Sequence, residues 1–116
     1  MALQTINLGG KDRPIRYSHK ALRMLSAKMG AKSFQDLGQK VTDIGIEDVP
    51  FLAYVGLKEG ARYVGETFET TEATVAEWLD DESAGIFQVV MLAFSNDFSG
   101  EQVVEGEKKA TAKVGK

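Results

Sequence analysis

Four places along the chain hold residue types that could do chemistry. Ser18-His19 sets a hydroxyl beside an imidazole, the components of an activated nucleophile. Adjacent residues do not place their side chains in productive contact, and no third group orients the imidazole, so the pair reads as a helix cap followed by a solvated His19. Gly9-Gly10-Lys11 has the glycines of a phosphate cradle. It lacks the G-x-x-x-x-G-K-[ST] spacing, and Asp12 stands where a magnesium-ligating hydroxyl would be, so a hairpin turn is expected there. Asp80-Asp81-Glu82 could attract a cation. Calcium loops interleave their ligands and need a glycine at the sharp turn, so this run reads as an acidic junction before the next helix. Gly56-Leu57-Lys58-Glu59-Gly60 matches the GxxxG pattern of membrane helices, but Lys58 and Glu59 make insertion untenable. Close packing of another backbone within a soluble fold is the favoured reading, and a self-association face is the second.

Whole-chain arithmetic narrows the chemistry further. The chain has 116 residues, no cysteine and a single histidine. Disulfide scaffolds, thiolate nucleophiles and Cys-based or His-pair metal sites are thereby excluded. A formal charge of −3 and a pI near 5.2 lack the basic footprint of a general nucleic-acid binder. No catalytic residue, cofactor or metal is expected, and the protein is not expected to be an enzyme. No run approaches the length of a membrane span, the most apolar stretch being Gly85 to Phe94. The opening MALQTINLGGKDR has neither the basic start nor the apolar core of a signal peptide, so a cytosolic location and no membrane partner are expected.

The elements that must position these residues follow from periodicity and caps. Leu3 to Leu8 reads as a short strand, Gly9 to Asp12 as a turn, and Ile15 with Tyr17 as part of a second strand. Pro14 places that second strand at an edge. Ser18 caps a first helix whose apolar side is Ala21, Leu22, Leu25 and Met29, with Met24 beside them, and Gly30 ends it. A second helix is expected from Ser33 to about Lys40, a third from Asp48 to about Arg62 with Pro50 in its first turn, and a fourth from Thr70 or Thr71 to Asp80. Ser83 is expected to cap a fifth helix that is apolar nearly all round, as a central buried element would be; a buried strand is the rival reading of that run. The expected fold is mainly α (α+β), a short N-terminal β-hairpin packed on four to five helices. Residues 1–99 form the domain and 100–116 a flexible, disordered charged tail, since Glu101 to Lys116 carries no aromatic and many charges.

Trp78, Phe34, Phe51, Tyr54 and Phe98 are the aromatic share of either a small core or an interface, and the core reading is favoured.

Taken in order, INLGGKDRPIRY from Ile6 to Tyr17, HKALRMLSAKMG, FLAYVGLKEGARY, TTEATVAEWLDD and GIFQVVMLAFSNDF resemble the tail assembly chaperones of long-tailed phages, including their prophage and gene-transfer-agent relatives. The resemblance spans about Leu3 to Phe98 and lies in the order and spacing of the segments. It implies a non-enzymatic protein of the host cytoplasm, absent from the mature virion. Such a protein binds the long helical tape measure protein before the tail tube assembles around it. The family also implies a longer, frameshifted form that recruits tail tube protein, and Lys108-Lys109 is a candidate junction. For the client surface, the expected residues are Phe51, Tyr54, Leu57, Tyr63 and Trp78. The alternatives are a structural virion protein of the tail or head–tail junction and a small cytosolic adaptor.

Overall fold

Two glycines start the fold. Gly9 and Gly10 adopt φ of 66° and 86°, left-handed values that let a two-residue turn match the twist of its strands. The strands are β1 (Gln4–Leu8) and β2 (Lys11–Ile15), paired antiparallel with Leu8 opposite Lys11 and Gln4 opposite Ile15. Pro14 faces Thr5, and counting outward from the pair that closes the turn makes this a position where β2 donates nothing to β1. The hairpin buries Ile6, Leu8 and Ile15 against the helices, as a marginal two-stranded sheet must. A computed structural model describes residues 3–106 of the chain, those after 99 by their backbone alone.

Five helices follow, most of them opened by the expected hydroxyl. Ser18 Oγ accepts the Ala21 amide at the head of α1 (His19–Met29), and Gly30 closes that helix in the left-handed conformation. Ser33 Oγ caps α2 (Phe34–Thr42) through the Asp36 amide, and Thr71 Oγ1 caps α4 (Glu72–Asp80) through Thr74. The third helix, α3 (Val49–Tyr63), holds Pro50 in its first turn. It is entered through a 3-10 turn at Ile46–Asp48, so Asp48 sits at its head with helical torsions and makes no side-chain cap. The last helix is α5 (Ile86–Gly106), led in by the carbonyls of Ser83, Ala84 and Gly85.

The centre of the domain is α3. It touches β2, α1, α4 and α5, and nine of its residues are buried. Strand β2 and the residues after it lie directly across the two glycines of this helix. A Cβ on Gly60 would collide with the Pro14 carbonyl, and one on Gly56 would come within 2.6 Å of the Tyr17 ring. The approach is fixed by the Arg16 amide donating to the Gly56 carbonyl at 2.9 Å and the Tyr17 hydroxyl donating to the Leu52 carbonyl at 2.7 Å. The glycine pair thus receives the chain's own backbone, and the self-association reading of that face falls because β2 covers it.

The expectation that the fifth helix would be the central buried element is also corrected. The run is helical, which removes the strand reading, yet α5 buries only one side, with Val90, Ala93, Phe94 and Asp97. Leu92 is 61% exposed and Val89 46%. With α3 already occupying the middle, α5 packs along its flank and against β1. Its backbone continues past Gly100 to Gly106, into the stretch expected to be tail; residues 107–116 of that stretch lie outside those described.

Candidate partner-binding face

Four of the five residues expected at a client surface come from α3, and the 100° step of a helix separates them. Phe51 and Tyr54 share the side turned away from β2, half-buried, with Lys58 one turn further along. Leu57 lies about 60° further round from Tyr54, on the side away from Phe51. It is 1% exposed and belongs to the core cluster, on the floor of a cleft of about 310 Å³ between β2 and residues 66–70. Leu57 is therefore corrected from a surface contact to a core residue. Tyr63, the last residue of α3, is 58% exposed. Trp78 lies on α4, half-buried over the hairpin turn, so close that a Cβ on Gly9 would come within 2.5 Å of the indole. It fastens α4 to the hairpin rather than standing free. Only Phe51 and Tyr54 are brought together.

Each of the four remaining aromatics carries a cation on its ring. Arg13 lies 4.1 Å from the Trp78 centroid, Arg16 4.4 Å from Tyr63, Lys28 5.1 Å from Phe51 and Lys58 5.8 Å from Tyr54. Such contacts stabilise by about 0.5–1 kcal/mol at exposed sites and hold the long basic stems across apolar surface. Phe68 adds its ring to Tyr54 at 6.0 Å.

Two buried acids escaped the sequence reading. Glu59, on α3, is 1% exposed. It receives the Ser18 hydroxyl at 2.8 Å and the Arg62 guanidinium at 2.7 Å. Burial pushes its carboxyl pKa up, but the hydrogen bonds from Arg62 and Ser18, with the charges of Arg62 and Lys20, outweigh it and hold the group below the usual carboxylate range. A carboxylate so stabilised is a poor base. Ser18 Oγ meanwhile also accepts the Ala21 amide, so the trio is a clasp between α1 and α3, while His19 is exposed. Asp97, on α5, accepts the Tyr17 amide at 2.9 Å. Burial, with the charge of Asp97 added, pushes the Tyr17 phenol far above its ordinary value, which keeps it a neutral donor to Leu52. A signal for Glu59 was available, since it is the one acid of the apolar, glycine-bearing α3, whereas Asp97 shares α5 with Glu101 and Glu105.

Asp80, Asp81 and Glu82 are all exposed, and the described residues hold no grouping of three or more metal-ligating side chains. No described helix is long and apolar enough to cross a membrane. Compared with known proteins, the chain matches no family model, no curated protein and no solved structure.

Proposed function

We propose that the protein is a tail assembly chaperone, a non-enzymatic binder of the tape measure protein acting in the host cytoplasm before the tail tube forms. The observation that supports it best is the pair Phe51 and Tyr54. They stand half-open on the side of the most deeply embedded helix turned away from β2, with Lys28 of α1 across Phe51 and Phe68 beside Tyr54. A rigid aromatic surface of this kind suits a long apolar helix, which would aggregate if left bare. The hairpin, α1, α3, α4 and α5 carry, in that order, the segments on which the family resemblance rests. In this reading, a longer frameshifted form brings tail tube protein to the complex.

Co-expression with the tape measure protein encoded nearby tests the proposal. Wild-type protein should keep that client soluble, whereas the double variant Phe51→Glu/Tyr54→Glu should fold and fail to do so. Equal rescue by the variant would refute the role of this face. Recovery of the protein in purified particles would favour the structural virion reading instead.

A further inference from the structure

The same face has a charge as well as a shape. Phe51, Tyr54, Lys58 and Arg62 recur every three or four residues and form one stripe, about 16 Å long, down α3. Beside it runs α1, where Lys20, Met24 and Lys28 recur every four residues. The two helices are antiparallel at this contact. Lys28 covers Phe51 at one end, while Ser18 at the other meets Glu59, which Arg62 holds and whose charge Lys20 feels. The result is an apolar floor of Phe51, Tyr54 and Met24 with four cations around it. The two stripes hold no acid; Glu59 lies beside them, buried and already bound by Arg62 and Ser18. Asp36, Asp43 and Asp48 line the hollow beyond the Lys28 end, between α1 and α2, with Lys40 among them. The chain as a whole carries −3, so the surface elsewhere is more acidic than that total.

We infer that this α1–α3 face takes a partner helix that is both apolar and acidic, its apolar side chains on Phe51, Tyr54 and Met24 and its carboxylates on Lys28 and Lys58. This deepens the proposed function, since it rests on that face being the docking surface, and it states which client segments fit. Lys28 and Lys58 are already drawn across the rings, so the cations stand at the rim before the partner arrives. Complementary charge speeds encounter and rejects basic helices, which would meet like charge. Single-stranded nucleic acid, whose bases could stack on the same rings, is the rival occupant.

The test uses the full chain and three fluorescent probes. One is an amphipathic peptide of about 18 residues with a Leu/Phe stripe flanked by glutamate; the second has lysine in place of each glutamate; the third is a single-stranded oligonucleotide of similar length. The glutamate peptide is expected to bind about tenfold more tightly than the lysine peptide, the effect of two exposed ion pairs gained against two like-charge contacts. The preference should shrink between about 50 and 200 mM salt and reverse in Lys28→Glu/Lys58→Glu. Phe51→Ala/Tyr54→Ala should weaken both peptides. Circular dichroism and the melting temperature confirm that each variant folds. Equal binding of the two peptides, no binding of the glutamate peptide, or tighter binding of the oligonucleotide would overturn the inference. If the peptide preference stands while Phe51→Glu/Tyr54→Glu still solubilises the tape measure protein, the chaperone reading of this face fails and its preference for acidic helices survives.

Discussion

Gly60→Ala is the sharpest probe of how the hairpin meets the central helix. In an isolated helix the change would stabilise by about 1 kcal/mol, because alanine is the better helix former. Here the new methyl would meet the Pro14 carbonyl oxygen, its carbon at 2.5 Å and the Ile15 nitrogen at 2.7 Å, all backbone atoms that no rotamer change can move aside. Strand β2 would have to back away from α3. Overpacking of this kind costs about 1–3 kcal/mol. The shift would stretch the 2.9 Å bond from the Arg16 amide to the Gly56 carbonyl, another ~1 kcal/mol. It would also loosen the fully buried Ile15, worth a further ~1 kcal/mol. The net expectation is a loss of about 3 kcal/mol, a large fraction of the ~5–15 kcal/mol that holds a small domain together. In urea the midpoint should fall by roughly 1–2 M at unchanged slope. Trp78, the single tryptophan, sits over the hairpin turn and should report the transition by fluorescence. Gly45→Ala is the control. Gly45 has φ of −76° and nothing within 4 Å of an added Cβ, so this change should be neutral or stabilise by about 0.5 kcal/mol. A Gly60→Ala protein as stable as wild type would refute the reasoning, since the strand could not then lie against the helix backbone.

Ser18→Ala removes the α1 cap and one donor to buried Glu59, and should destabilise by about 2 kcal/mol in the same urea assay. A loss below about 0.5 kcal/mol would mean that water replaces the hydroxyl. Glu59→Gln tests the depressed carboxyl. Its folded pKa lies below the unfolded value of about 4.3, so the ionised group's contribution is complete above that pH and is lost as pH falls through the folded pKa. The stability gap between wild type and Glu59→Gln should be flat from neutral pH to about 5 and close in more acidic solution; a gap that persists or widens toward acid would contradict it.

Local signals carried much of the fold because local physics decides it. The hydroxyls of Ser18, Ser33 and Thr71 opened their helices because each follows extended backbone, where a side-chain oxygen can reach the third amide onward. Gly9-Gly10 made its hairpin for a comparable reason, needing two left-handed residues and no distant partner. What depended on distant partners was harder to read. The glycine spacing in α3 signalled a close approach, but nothing in it named β2 as the element approaching. Leu57 was misplaced because glycines and alanines blur the periodicity of α3, leaving the direction of its apolar side undefined. The apolar character of α5 suggested a central position, yet apolar content measures what could be buried and not how much neighbouring surface exists to bury it. On the proposed partner face, the shared side of Phe51 and Tyr54 was legible from helical spacing. Lys28 was not, because it reaches Phe51 from another helix.

The bonds that tie the first strand region to the last helix determine when the chain can finish folding. Gln4 donates to the Ala93 carbonyl and accepts from Asn96, and the Tyr17 amide rests on Asp97, across separations of 80 to 92 residues. Synthesis delivers the N-terminal side first, so hairpin and helices α1 to α4 wait for α5 with the Tyr17 amide and part of the hairpin's underside unpartnered. Closing so long a loop is slow relative to the local pairing of the hairpin or the α1–α2 contact. A change such as Asp97→Ala would therefore prolong the interval in which apolar strand surface is open to other chains. It would show as a poor yield of soluble protein in the cell, on top of the loss of about 1–3 kcal/mol in the folded molecule whose buried Tyr17 amide has lost its acceptor.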